Sequence, residues 1–112
     1  MKAAIIGCGK IAQVRHIPEY RDNPEAELWG LYDVNQERAR KLADPYQCRA
    51  YSSVEELLED PEIDGVSVCA ANYAHASLTI QALKAGKHVL CEKPMAVTLK
   101  ECEDMVHAAK ES

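Results

Sequence analysis

Gly7, Gly9 and Ala12 stand at the spacing G-x-G-x-x-A, directly behind the apolar run Lys2-Ala3-Ala4-Ile5-Ile6. Where such a string follows a strand and opens a helix, its chemistry is the capture of a pyrophosphate. Gly7 would permit the tight turn, and Gly9 would let the backbone approach the phosphates with no Cβ in the way. Ala12 would keep the helix close to the strand. Amides at the helix start, with the positive end of its dipole, would receive the phosphate oxygens. Cys8, Lys10 and Ile11 would therefore act mainly through their backbone N–H groups. A ribose needs a second group. Asp33 ends Leu31-Tyr32-Asp33, 21 residues past Ala12. A carboxylate there accepts from ribose hydroxyls and repels a 2′-phosphate, favouring NAD over NADP. The competing reading makes Asp33 a helix N-cap, because Asp33-x-x-Gln36 resembles a capping box. Arg38 is near enough to bear on the NAD preference, but reads as a solvated helix residue.

These groups must be held by a scaffold, and the apolar pattern supplies one. Lys2–Ile6 reads as a strand buried on both faces. A helix from Lys10 to about Arg21 follows, kinked or restarted at Pro18, which lacks an amide donor. Glu27–Tyr32 is a second strand, Asn35–Ala43 a helix and Arg49–Tyr51 a brief strand. Ser53-Val54-Glu55-Glu56 is a capping box that opens a short helix with Val54, Leu57 and Leu58 inward. Residues 65 to 70 form the most apolar strand. A helix from about Ala74 to Ala85 then stops at Gly86, where a left-handed cap is favoured. His88–Cys91 is a fifth strand. The last helix is capped by Thr98 and Glu101, with Leu99, Cys102, Val106 and Ala109 as its apolar stripe. Strands alternating with helices imply a doubly wound α/β domain, with a parallel, Rossmann-like sheet in the order 3-2-1-4-5.

Composition narrows the function classes. The chain has 112 residues, 47% hydrophobic and 28% charged, which suits one domain over residues 1–112 with its own core. A net charge of −5 with scattered Lys and Arg argues against nucleic-acid binding. No apolar run approaches the roughly 20 residues of a membrane span, and the short run before Gly7 reads as a strand rather than a signal peptide. Five cysteines, at 8, 48, 69, 91 and 102, include no C-x-x-C pair. They read as reduced, mostly buried thiols of a cytoplasmic protein, with Cys8 the one that the glycine turn could expose. The four histidines, at 16, 75, 88 and 107, also lack metal-ligand spacing, and no metal is assigned.

Three pieces taken in order resemble the N-terminal domain of the Gfo/Idh/MocA family, the glucose–fructose oxidoreductase and inositol dehydrogenase group. The first is the glycine string with Asp33. The second is Val66-Ser67-Val68-Cys69 followed by Asn72-x-x-His75-Ala76. The third is the run from Ala85 to Ala96, with Glu92-Lys93-Pro94 at its centre. The resemblance implies that the Ala70–His75 loop lies beside the nicotinamide ribose, with Asn72 as a polar contact. His75 would be either a ligand neighbour or a helix-start residue. It implies further that Glu92 and Lys93 stand at the same rim, and that Lys93 contacts the substrate hydroxyl and the cofactor ribose, assisting proton movement during hydride transfer. Pro94 resembles a family proline whose turn aims Lys93. Ala70-Ala71 departs from the Thr/Ser-Pro usual before the Asn.

The implied function is the cofactor half of an NAD-dependent oxidoreductase, with NADP possible, acting on a sugar or cyclitol-type hydroxyl. Two other functions use the same residues or fewer: a non-catalytic NAD(H)-sensing module, and a structural Rossmann fragment without ligand affinity. A sixth strand and the family's C-terminal substrate domain are expected to be absent, so the 112-residue chain alone is expected to be inactive. The fifth strand is then expected to be an apolar edge through which copies of the chain associate.

Overall fold

A computed structural model describes residues 1–70, 74–92 and 98–111. Five strands form one parallel sheet: β1 (Lys2–Ile6), β2 (Glu27–Tyr32), β3 (Arg49–Ala50), β4 (Gly65–Val68) and β5 (His88–Cys91). Their order is β3-β2-β1-β4-β5, as the alternating pattern predicts. The helices are α1 (Ile17–Asp22), α2 (Gln36–Ala43), α3 (Val54–Glu59), α4 (His75–Lys84) and α5 (Leu99–Glu111).

The pleat of β1 divides the interior in two. Ala4 and Ile6 join Val66, Val68, Leu57 and Ala82 on one face, beneath α3 and α4. Ile5 turns to the other, with Ala12, Ile17, Leu31 and Ala43, beneath α1 and α2. Successive side chains of a strand point to opposite faces, so a strand apolar at every position requires helices on both. On the second face Ser67 is fully buried, and its hydroxyl lies 2.5 Å from that of Tyr20 on α1.

The helix after the glycine turn departs from regular geometry. The chain widens into a π turn over Ala12–His16, where the Ile17 N–H reaches back to the Ala12 carbonyl. Pro18 follows at once, in the first turn of α1. A proline there needs no intrahelical donor, and the wider turn ahead of it relieves the clash with the carbonyl four residues back. The kink expected at Pro18 is thus taken up one turn earlier.

The predicted caps form. The Ser53 hydroxyl accepts from the Glu56 N–H at 3.0 Å. Thr98 and Glu101 bond reciprocally, each side chain accepting the other's backbone N–H at 3.1 Å. Gly86 takes φ +80 just past α4. Lys87 is buried, and its ammonium donates to the carbonyls of Asp60 and Ile63, tying the start of β5 to the connection after α3.

The stripe on α5 is not the one its spacing suggests. Met105 and Ala108 are the buried residues, whereas Leu99 is 75% exposed and Val106 46%. Met105 sits over Thr79, Leu83 and Cys91 in a groove of about 510 Å³ between α4, α5 and β5, and Val106 and Ala109 form its outer wall. The helix carries two apolar faces, and packing on α4 selects the one with the longer side chain at its centre. Met105→Ala should therefore cost about 2–5 kcal/mol in a urea titration and Leu99→Ala under about 0.5 kcal/mol. A larger cost for Leu99→Ala than for Met105→Ala would mean that the other stripe is the inner one.

Candidate functional site

The carboxyl ends of β1, β2 and β4 meet around a cleft of about 420 Å³ lined by Gly7, Gly9, Asp33, Arg38, Ala70 and Leu78 among others. This is where the sheet changes winding direction, since β1 connects one way to β2 and has β4 on its other side. The two glycines do different work. Gly7 has φ +96, and a Cβ there would lie 2.5 Å from the Ala70 nitrogen, so the turn is pressed against the exit of β4. At Gly9 nothing stands within 4 Å of where a Cβ would be. A cradle that a side chain would fill is thus open at the second glycine, and the space fits a phosphate approaching the backbone. Ala12 is fully buried against the core.

The amides at this turn are divided. The Cys8 N–H, expected at the phosphate, donates instead to Asp33 Oδ1 at 2.8 Å. Lys10 and Ile11 precede the first helical bond, from the Gln13 N–H to the Gly9 carbonyl, so their amides have no intrahelical acceptor. The Cys8 side chain, which the turn was expected to expose, is buried. Burial, with Asp33 close by, pushes its thiol up to about 12, which leaves it unreactive at neutral pH.

Asp33 is not the N-cap of α2. That place belongs to Asn35, whose side chain accepts from the Arg38 N–H. Asp33 Oδ2 takes the Asn35 N–H at 2.9 Å and the Arg38 guanidinium twice, Nε at 3.1 Å and Nη2 at 2.7 Å. Arg38, read from sequence as solvated, is therefore an ion-pair partner. The Asp33 side chain is 5% exposed and that of Arg38 43%. Burial raises the Asp33 pKa, but the Cys8 amide, the Arg38 guanidinium and the Asn35 amide more than offset it, holding the carboxyl below the usual range.

His75 opens α4, buried, with Nε2 2.7 Å from the Ala70 carbonyl. It fixes the first residue of the loop after β4. Glu92 directly follows β5, with Oε2 2.6 Å from Nε2 of His16, the last residue of the π turn. That contact links the glycine-turn helix to the strand end across 76 residues. Sequence reading missed it because nothing local joins the two, although a histidine beside the glycine turn on a helix face turned inward was a signal. Asn72, Lys93 and Pro94 lie outside the described residues. Among the described residues no three His, Cys, Asp or Glu side chains are placed to share a metal ion.

The profile of an oxidoreductase family with an NAD-binding Rossmann fold, Gfo/Idh/MocA, matches residues 1–112. The chain belongs to this family. Myo-inositol 2-dehydrogenase of Thermotoga maritima is 34% identical over 113 aligned residues, covering 100% of this chain and 34% of that protein. Glucose-6-phosphate 3-dehydrogenase of Bacillus subtilis is 38% identical over 109, covering 97% and 30%. The chain thus spans about a third of the length of these Gfo/Idh/MocA relatives. A 3-ketoreductase from Actinomadura kijaniata, crystallised with NADP and TDP-benzene, superposes with a TM-score of 0.93 at 30% identity, over 99% of this chain and 34% of that one. A probable dehydrogenase from Thermotoga maritima gives 0.94 at 33%, over 99% and 33%.

The Asp33 carboxyl titrates lower in the folded chain than in the unfolded one, where it sits near about 3.9. Its contribution to stability is fully present above that unfolded value and is lost as pH falls through the lower folded value. Denaturant titrations between pH 6 and pH 2.5 should give a shallower acid-side loss for Asp33→Asn than for the parent chain. Parallel profiles would show that Asp33 titrates alike in both states.

Proposed function

We propose that residues 1–112 form the dinucleotide-binding domain of an NAD(P)-dependent oxidoreductase acting on a sugar or cyclitol-type hydroxyl. The observation that carries this reading is the open space at Gly9 within the same cleft as Asp33 and Ala70. The Lys10 and Ile11 amides would hold the pyrophosphate, with the dipole of the helical stretch behind them. Val34, Val54 and Leu78 give the cleft apolar flanks that suit an adenine ring. The nicotinamide would lie toward Ala70, Asn72 and the Glu92–Pro94 rim, His75 holding the Ala70 carbonyl that shapes the loop. The relatives named above act on inositol, on glucose 6-phosphate and, as a 3-ketoreductase, on a carbonyl, which supports a polyol or sugar substrate.

When bound, the nicotinamide supplies the hydride acceptor or donor. This chain's own residues orient it and handle a proton. Lys93 directly follows Glu92 in the chain, and its ammonium would exchange the proton of the substrate hydroxyl. The His16–Glu92 contact would hold the strand end that carries it. The relatives named above are about three times as long, which supports substrate selection outside the region matched here, and the 112 residues alone are proposed to bind cofactor without appreciable turnover. No helix among the described residues is long and apolar enough to cross a membrane. Five free thiols suit a cytoplasmic setting, and the acidic balance disfavours nucleic acid as a partner.

NADH titrated into the chain should bind, followed by its fluorescence. Gly9→Val should weaken that binding by about tenfold or more while changing unfolding free energy by only about 0.5 kcal/mol, because the added side chain meets ligand space and not protein. Unaltered affinity in that variant would remove the pyrophosphate from the glycine turn. Substrate-dependent NADH production by the chain alone, abolished by Lys93→Met, would keep the lysine's role and overturn the division of labour.

The outer edge of β5 pairs with no strand among the described residues, and Leu90 on it is 56% exposed. Copies of the chain are proposed to associate along that edge. Sedimentation at high micromolar concentration should show species larger than 12.4 kDa, and a lone monomer would end this reading.

A further inference from the structure

Helix α5 carries a second apolar stripe on its outside. Met105 and Ala108 are docked inward, yet Cys102, Val106 and Ala109 run along the opposite flank, with Leu99 one turn before them. A surface helix of a single folded unit carries one such stripe, facing its own core. Leu90, Leu99 and Val106 are half of the six exposed large apolar side chains among the described residues, and all three stand on β5 and α5. The groove between α4, α5 and β5 and a hollow of about 390 Å³ on the outer face of α5 share Val106 and Lys110. Ridge and groove thus adjoin along one helix, as a self-complementary patch requires.

Charge says how a second copy lies against it. Along the helix Lys100 pairs with Asp104 at 3.1 Å, and His107 pairs with Glu111. Glu103 and Lys110 line the outer hollow and join no ion pair among the described residues. They are opposite in sign and two turns apart, so they share a face at a separation of about 10 Å. Their midpoint falls beside Val106. A two-fold axis there runs two α5 helices antiparallel and sets Glu103 against the partner's Lys110, with the two Val106 side chains at the centre. Parallel helices would set Glu103 against its own copy, which like charge disfavours.

We propose that the outer face of α5 is an interface with a second copy of this chain, formed by antiparallel α5 helices about a two-fold axis at Val106 with reciprocal Glu103–Lys110 pairs. The proposal rests on the self-association proposed for the β5 edge, which borders the same groove, and names the helix as the contact that fixes orientation. One helix against another buries less than a standard interface, so the dimer dissociates on the order of 100 µM.

Sedimentation of the full chain from about 10 to about 500 µM tests this by charge reversal. Glu103→Lys and Lys110→Glu should each weaken the dimer by about tenfold or more, because both attractive pairs become repulsive. The chain carrying both substitutions should regain the parent's affinity to within about threefold. An equimolar mixture of the two single variants should form a heterodimer although neither associates with itself, an outcome that a change in helix stability cannot produce. A dimer indifferent to both single substitutions, or one that the double substitution fails to restore, would overturn the helix contact. Loss of that dimer in Leu90→Lys would then leave the strand edge as the contact. A parent chain that is monomeric at about 500 µM would overturn both and leave the face to a different occupant.

Discussion

The Asp33 carboxylate is the junction on which the cleft depends. It joins the end of β2 to the glycine turn through the Cys8 amide and to the start of α2 through the Asn35 amide and Arg38. Three pieces of backbone that already share an apolar cluster through Cys8, Leu31 and Ala43 are thereby fixed around one anion. Such a group is costly to bury alone and stable only when every donor arrives together. The arrangement is over-determined. Gly7 is pressed against Ala70 from the other side, so the turn can move neither toward β4 nor away from β2 without losing a contact. The opening at Gly9 is what remains between these two restraints.

Much of this was legible from local signals. Strand order followed from alternation with helices, and the Ser53 and Thr98 caps from residues three apart, because these are decided by short-range geometry. Where two local readings competed, tertiary contacts decided. Asp33 looked like a cap, yet Asn35 is better placed to cap α2 while Asp33 reaches the turn. On α5 the spacing allowed either of two apolar faces, and only the docking of Met105 against α4 settled the matter. Least legible were the polar pairs across the fold. The His16–Glu92 and Tyr20–Ser67 contacts and the burial of Lys87 on two carbonyls join residues far apart in sequence, with no pattern at either end to announce them.

The molecule is unevenly finished. Around β1 both faces are sealed and the strand ends are tied together. At β5 the sheet stops, with His88 and Leu90 exposed, Val89 and Cys91 only half-buried, and a groove left open beside α5. The cleft of Gly7, Gly9 and Asp33 lies at the sealed side and the apolar groove at the open one. Family membership is compatible with this division, since the relatives extend over about three times this length.

The π turn at Ala12–His16 has a geometric meaning of its own. One π turn inside a helix amounts to a single inserted residue, and a residue corresponds to about 100° of rotation about the helix axis. The two halves of the helical stretch are therefore out of phase with one another. The first presents its amides to the cleft and Ala12 to the core, while the second turns Ile17 and Tyr20 toward the sheet. Shortening the turn by one residue would point the second half elsewhere, and the His16 ring would no longer meet Glu92. The irregularity acts as a phase shifter, letting one helix turn its first amides toward a cleft and pack on a sheet along its length.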